Sequence, residues 1–115
     1  AYAPVEEGLD APDGTVSPAV ALAGVIFDAE GALRDLERWV DHEVFERVFG
    51  VYGFTDAFNL AEDWVGPDVI GITVGSLLLA IENHRTGLVW RRMEEVDAIR
   101  KGLERAGLDK RKARD

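Results

Sequence analysis

The chain has no cysteine, one methionine and only two histidines in 115 residues. Without cysteine there is no disulfide, no thiolate metal site and no thiol nucleophile. His42 and His84 lack metal-ligand spacing to each other or to carboxylates, so no metal site is expected. No phosphate loop, dinucleotide fingerprint or nucleophile elbow is present, and no cofactor is expected. Gly71-Ile72-Thr73-Val74-Gly75 is glycine-rich but lacks the rest of any phosphate-binding motif. No apolar run approaches the roughly 18 residues a membrane-spanning helix needs. Cations are in short supply: 13 Lys and Arg face 22 Asp and Glu, a formal charge of −9. That balance disfavours nucleic acid and anionic membrane surfaces as partners. The exception is the stretch 109–115, DKRKARD, which reads as a charged, solvated tail outside a domain spanning 1–108. The chain shows no secretory signal and begins with Ala1, so a piece of a longer polypeptide or a processed product is expected.

What the sequence does contain is helix. The first sixteen residues, AYAPVEEGLDAPDGTV, show no period and read as a loop with a turn at Pro12-Asp13-Gly14. Ser17-Pro18 then combines an N-cap residue with proline at the first helical position. The helix that follows, to about Val25, is apolar nearly all round and should be buried. Asp28 is a plausible cap for a second helix, where Leu33, Leu36 and Val40 recur at helical spacing among charged residues. Its pattern continues weakly to Gly50, with a break near His42.

The segment Gly50 to Gly71 reads as long and irregular, with Phe54, Asp56, Phe58, Asn59 and Trp64 inside it. Asp and Asn beside aromatics suit a polyol ligand, and they equally suit a loop held by side-chain-to-backbone bonds. A third helix is expected from about Thr73 to His84, and a fourth from Trp90 to Ala106. The fourth carries a stripe of Val89, Met93, Val96, Ile99 and Leu103, with Gly107 as C-cap. No strand signal competes with these helices.

Nearly all-apolar helices thus alternate with face-divided ones. Paired inner and outer helices generate that alternation, as in α/α barrels and helical solenoids. Two such hairpins do not close a barrel, so the inner helices need cover from further helices of the same polypeptide or from self-association.

The apolar run from Leu77 to Ile81 leads into Glu82, Asn83, His84 and Arg85. One reading is a Glu82–Arg85 pair on the helix surface. The other places Glu82 at a cavity mouth as a general acid, with Asn83 and Arg85 binding hydroxyls or holding the carboxylate. Glycoside cleavage needs two carboxylates about 5–5.5 or 6.5–9.5 Å apart. Asp13, Asp56, Asp63, Asp68 and Glu82 are the candidates.

The blocks DGTVSPAVAL, YGFTDAFNL, the Trp64/Pro67-Asp68 segment and GITVGSLLLAIENHRTGLVWR together resemble the C-terminal part of the glycoamylase-like family. This is a group of bacterial glycoside hydrolases that includes β-1,2-glucanases, with a related domain in cyclic β-1,2-glucan synthases. The resemblance runs from about Asp13 to Leu108. It implies an all-α fold, the last helical hairpins of a six-hairpin α/α barrel left incomplete in this chain. It also implies a carboxylate acid/base mechanism on β-linked glucans, β-1,2-glucan favoured, and a periplasmic or extracellular setting. Carried over by position, Asp56 and Glu82 match catalytic-cleft carboxylates. Asn59, Trp64, Asp68, Asn83 and Arg85 match residues that face or support the glucan. One departure stands out. Where the family reads Gly-Ile-Asp-Gln-Gly-Pro, this chain has Gly71-Ile72-Thr73-Val74-Gly75-Ser76. If that aspartate activates water, Thr73 cannot replace it, because a hydroxyl does not ionise near neutral pH. The alternative is therefore a non-catalytic helical carbohydrate-binding or interaction module.

Overall fold

Ser17 and Pro18 start the first helix where the sequence places it, in a computed structural model that describes residues 13–108. The turn expected at Pro12 lies partly outside those residues, and the basic tail lies wholly outside them. Helix α1 spans Pro18–Ala23 and tightens into a 3-10 turn, Gly24–Ile26. Ser17 occupies the N-cap position without a side-chain cap bond; proline's fixed φ does the initiating. Helix α2, Ala29–Val40, is capped by Asp28, whose Oδ1 accepts the Gly31 N–H at 2.9 Å. Its pattern breaks at His42, as expected, and the short helix α3 follows at Phe45–Val48.

The segment from Gly50 to Gly71 differs from its sequence reading. Two antiparallel hairpins lie there: β1 (Phe49–Gly50) with β2 (Gly53–Phe54), and β3 (Phe58–Asn59) with β4 (Trp64–Val65). Each strand is two residues long, too short for a period of two to register in sequence. Both hairpins turn through left-handed backbone, at Gly53 (φ 97°) and at Asp63 (φ 46°). Glycine reaches that region at no steric cost, whereas aspartate is one of the few side chains that tolerate it.

Helix α4, Gly71–Thr86, is the long apolar element expected from the sequence. The predicted fourth helix is instead two, α5 (Leu88–Glu94) and α6 (Asp97–Arg105), divided where Val96 adopts an extended conformation (ψ 115°). Asp97 sits at the first position of α6, where a negative charge complements the helix dipole.

Helix α1 packs mainly against α4, and α2 closes over the 3-10 turn. The buried core joins Ala19 and Leu22 of α1, Ala32 of α2, Val44 and Val48 around α3, Phe54, Phe58 and Leu77 of α4. Trp39 meets Phe58 edge-on, with ring centroids 5.8 Å apart. Beyond this core the inner helices are bare on one side. Leu77 and Ala80 of α4 are buried, while Leu78 is 64% and Ile72 82% exposed. Val20 of α1 and Leu79 and Ile81 of α4 are also exposed. The barrel is not closed within these residues: α1 and α4 have the character of inner staves with one flank uncovered. Among the described residues no helix is long and apolar enough to cross a membrane.

Candidate active site

The starts of α1 and α4 meet at one hairpin. Val16, two residues before α1, pairs with Phe58 of β3 through reciprocal backbone bonds of 2.8 and 2.9 Å. At the base of the same hairpin the Asp56 N–H donates to the Asp68 carbonyl at 2.8 Å. The Asp56 carboxylate lies 3.4 Å from the Thr73 hydroxyl in the first turn of α4. The Asp56 carboxylate and the Thr73 hydroxyl therefore meet at the N-terminal end of the inner helices, with the Asp68 backbone beside them. Thr73 has a single hydroxyl proton, and its shorter contact is 2.7 Å to the Ile70 carbonyl. The Asp56 contact is thus close approach rather than a strong hydrogen bond.

Asn59 is 4% exposed, and its amide is fully committed. Its Nδ2 donates to the Asp13 carbonyl at 2.9 Å and to the Thr15 hydroxyl at 3.3 Å. Its Oδ1 accepts the N–H groups of Ala61 and Glu62. Of the two roles open to this loop, Asn59 takes the structural one: it pins the hairpin turn to the chain entering α1 rather than offering itself to a sugar. Asp13 sits in the same turn. The Thr15 backbone N–H, 2.8 Å from its Oδ1, draws the Asp13 carboxyl below its ordinary value of 3.8. Trp64, by contrast, is 42% exposed at the hairpin edge.

The polar residues at the other end of α4 stand apart. Nine residues separate Thr73 from Glu82, which is about 14 Å along the axis and half a turn around it. Glu82 thus leaves α4 at the opposite end and on the opposite side from Thr73, beside which the Asp56 carboxylate lies. Glu82 does not pair with Arg85 either; its Oε1 accepts the Thr86 hydroxyl at 2.8 Å, and Arg85 is exposed.

Asn83 is buried and makes the corner. Gly87, left-handed at φ 67°, ends α4 by donating its N–H to the Asn83 carbonyl, and it also stands at the N-cap of α5. Glycine has no side chain to cap with, and Asn83 supplies one instead: its Oδ1 accepts the Trp90 N–H at 3.0 Å. This bond gives the Asn83 acceptor a structural role, holding two helices together at the corner.

Three residues to which the sequence reading assigns no site role, His42, Glu43 and Arg47, gather beside Trp64 with the candidate carboxylate Asp63. His42, Glu43, Arg47 and Asp63 line a cavity of about 310 Å³ between α3 and the β3–β4 turn. Arg47 reaches across to the Asp63 carboxylate at 2.5 Å and to its carbonyl at 3.2 Å. They are sixteen positions apart in the chain, and no sequence periodicity signals such a contact.

Comparison with known proteins decides the family. The model of the Glycoamylase family, described as "Putative glucoamylase", matches residues 1–97. The chain belongs to the glycoamylase family. Among curated relatives of this family member is the exo β-1,2-glucooligosaccharide sophorohydrolase of Parabacteroides distasonis, 33% identical over 94 residues. That match covers 81% of this chain and 13% of the relative. The endo-β-1,2-glucanase of Chitinophaga pinensis, solved with sophorotriose and glucose, is 30% identical with a TM-score of 0.70. It aligns with 84% of this chain, which spans 22% of that structure. The β-1,2-glucanase structure from Parabacteroides distasonis gives 31% identity and a TM-score of 0.72, over 81% of this chain and 13% of its own. The chain spans less than a quarter of each relative, and within them it corresponds to part of a helical barrel. The bare flanks of α1 and α4 agree with that scale.

Proposed function

We propose that this chain forms part of a glycoside hydrolase-like protein that acts on β-linked glucans, β-1,2-glucan foremost, with its cleft at the N-terminal end of α1 and α4. The convergence of Asp56, Asp68 and Thr73 on the base of one hairpin carries this reading. Relatives described as β-1,2-glucan hydrolases support the substrate class. In this reading Asp56 supplies one cleft carboxylate, Asp68 a polar wall and Trp64 an aromatic face. Glu82 is then not the pair of Asp56, because Thr73, beside Asp56, and Glu82 lie about 14 Å apart along α4, beyond the 5–9.5 Å of glycosidase pairs.

Thr73 favours a second reading. The resemblance expects an aspartate there, and a threonine hydroxyl cannot act as a base at neutral pH. Its proton is moreover taken by the Ile70 carbonyl. A glucan-binding relative that has lost hydrolysis fits that position. Reducing-sugar release from linear β-1,2-glucan by the protein at its natural length separates the two. Release supports the hydrolase. Glucan binding without release leaves the binding module, and neither binding nor release removes both.

A further inference from the structure

The corner between α2 and α3 is closed by a histidine that has to be neutral to close it. The Val44 N–H donates to His42 Nδ1 at 3.1 Å. Val44 is 3% exposed and stands at the N-cap position of α3, where valine has no side-chain acceptor to offer. The imidazole two residues upstream supplies one instead. A ring nitrogen that accepts a hydrogen bond carries no proton, and in imidazolium both nitrogens are donors. The Val44 carbonyl accepts the N–H groups of Arg47 and Val48, so the turn anchored by His42 is the one that carries Arg47. Arg47 in turn reaches the Asp63 carboxylate at 2.5 Å and the Asp63 carbonyl at 3.2 Å. Among the described residues Asp63 is the one non-glycine with a positive φ, 46°. Such a conformation persists where its surroundings hold it. A chain of contacts therefore runs from an imidazole nitrogen to a strained turn across the cavity.

We infer that His42 is a pH-sensitive latch on the β3–β4 turn. Neutral, it holds the first turn of α3 and, through Arg47, the left-handed Asp63. Protonated, it loses the Val44 bond and places a cation in the cavity it shares with Arg47. The charged groups lining that cavity with it are Glu43 and Arg47 from its own corner and Asp63 from the hairpin turn; Asp41 adjoins it in the chain. Arg47 repels the new charge while Glu43 and Asp63 attract it, so imidazolium competes with Arg47 for the Asp63 carboxylate. Both effects loosen the Arg47–Asp63 clamp. His42 is exposed, so protons reach it without any opening of the core. Histidine side chains change charge between about pH 5 and pH 8, which sets the range over which the latch works. The inference is independent of the glucan reading, since no sugar contact enters it.

The test is hydrogen exchange, read by mass spectrometry on the natural-length protein without ligand, on peptides covering 43–49 and 59–66. A pH series from about 7.5 to about 5 is used, with rates corrected for intrinsic exchange. Wild type should lose about tenfold in protection on both segments as pH falls, with one shared midpoint. His42→Asn keeps a side-chain acceptor that does not titrate, and both segments should stay protected throughout. His42→Ala has no acceptor and should show the low protection at every pH. Wild-type protection that does not change with pH, or a change that persists in His42→Asn, would overturn the latch. A loss on 43–49 alone would overturn it too, because the turn would then not be held through Arg47. Should neither variant fold, the wild-type series still decides, since the two segments have to titrate together.

Discussion

Replacing Asn83 by alanine separates a structural role from a sugar-binding one. The substitution removes the acceptor of the Trp90 N–H, a 3.0 Å bond at the third residue of α5. Loss of a side-chain N-cap costs about 0.5–2 kcal/mol. Trp90 is 52% exposed, so water can partly replace the lost acceptor, and the effect belongs near the middle, about 1 kcal/mol. Such a loss corresponds to about fivefold faster opening of the first turn of α5. Hydrogen exchange read by mass spectrometry on peptides covering Leu88–Glu94 measures it directly. The expected result is about a fivefold loss of protection confined to that corner, with affinity for β-1,2-glucan unchanged. Unaltered protection together with weakened glucan binding would refute the corner assignment and return Asn83 to the ligand.

Other outcomes follow from the same geometry. Gly87→Ala puts a Cβ into left-handed backbone, 3.2 Å from the Arg91 guanidinium, and should lower stability by about 1 kcal/mol, read as a lower melting temperature; an unchanged melt would contradict the αL cap. Phe58→Ala empties a ring site that is 2% exposed and should cost about 3–5 kcal/mol, seen as a large drop in the denaturation midpoint; a cost under about 1 kcal/mol would mean that the hairpin is not part of the core. Asp13 has its folded pKa held below 3.8, so its turn contributes stability that is present above 3.8 and fades as pH falls through the folded value. Amide exchange at Thr15 should accelerate on acidification below that point in the wild type and lose this dependence in Asp13→Asn.

The helices were legible because each carries its own signal. Ser17-Pro18 announces α1, Asp28 caps α2, and the apolar run ending at Ile81 marks α4. The hairpins were not legible, since two-residue strands have no period and their turns depend on φ values at Gly53 and Asp63 that sequence does not display. The division of α5 from α6 was hidden by an apolar stripe running unbroken through Val96. In the site, the Asp56 neighbourhood could be suspected from its block of residues. The separation of Glu82 from it follows only once α4 is known to be continuous, because nine residues on one helix turn a side chain to the opposite face. The Arg47–Asp63 clamp is a tertiary contact with no sequence footprint at all.

The central claim is that glucan meets the N-terminal end of the inner helices, at Asp56, and not the far end at Glu82. Titrating linear β-1,2-glucan into the natural-length protein carrying Asp56→Asn, and separately Glu82→Gln, tests it most directly. The account predicts about a tenfold or greater loss of affinity for Asp56→Asn and wild-type affinity for Glu82→Gln. A loss at Glu82→Gln with Asp56→Asn unaffected would contradict it.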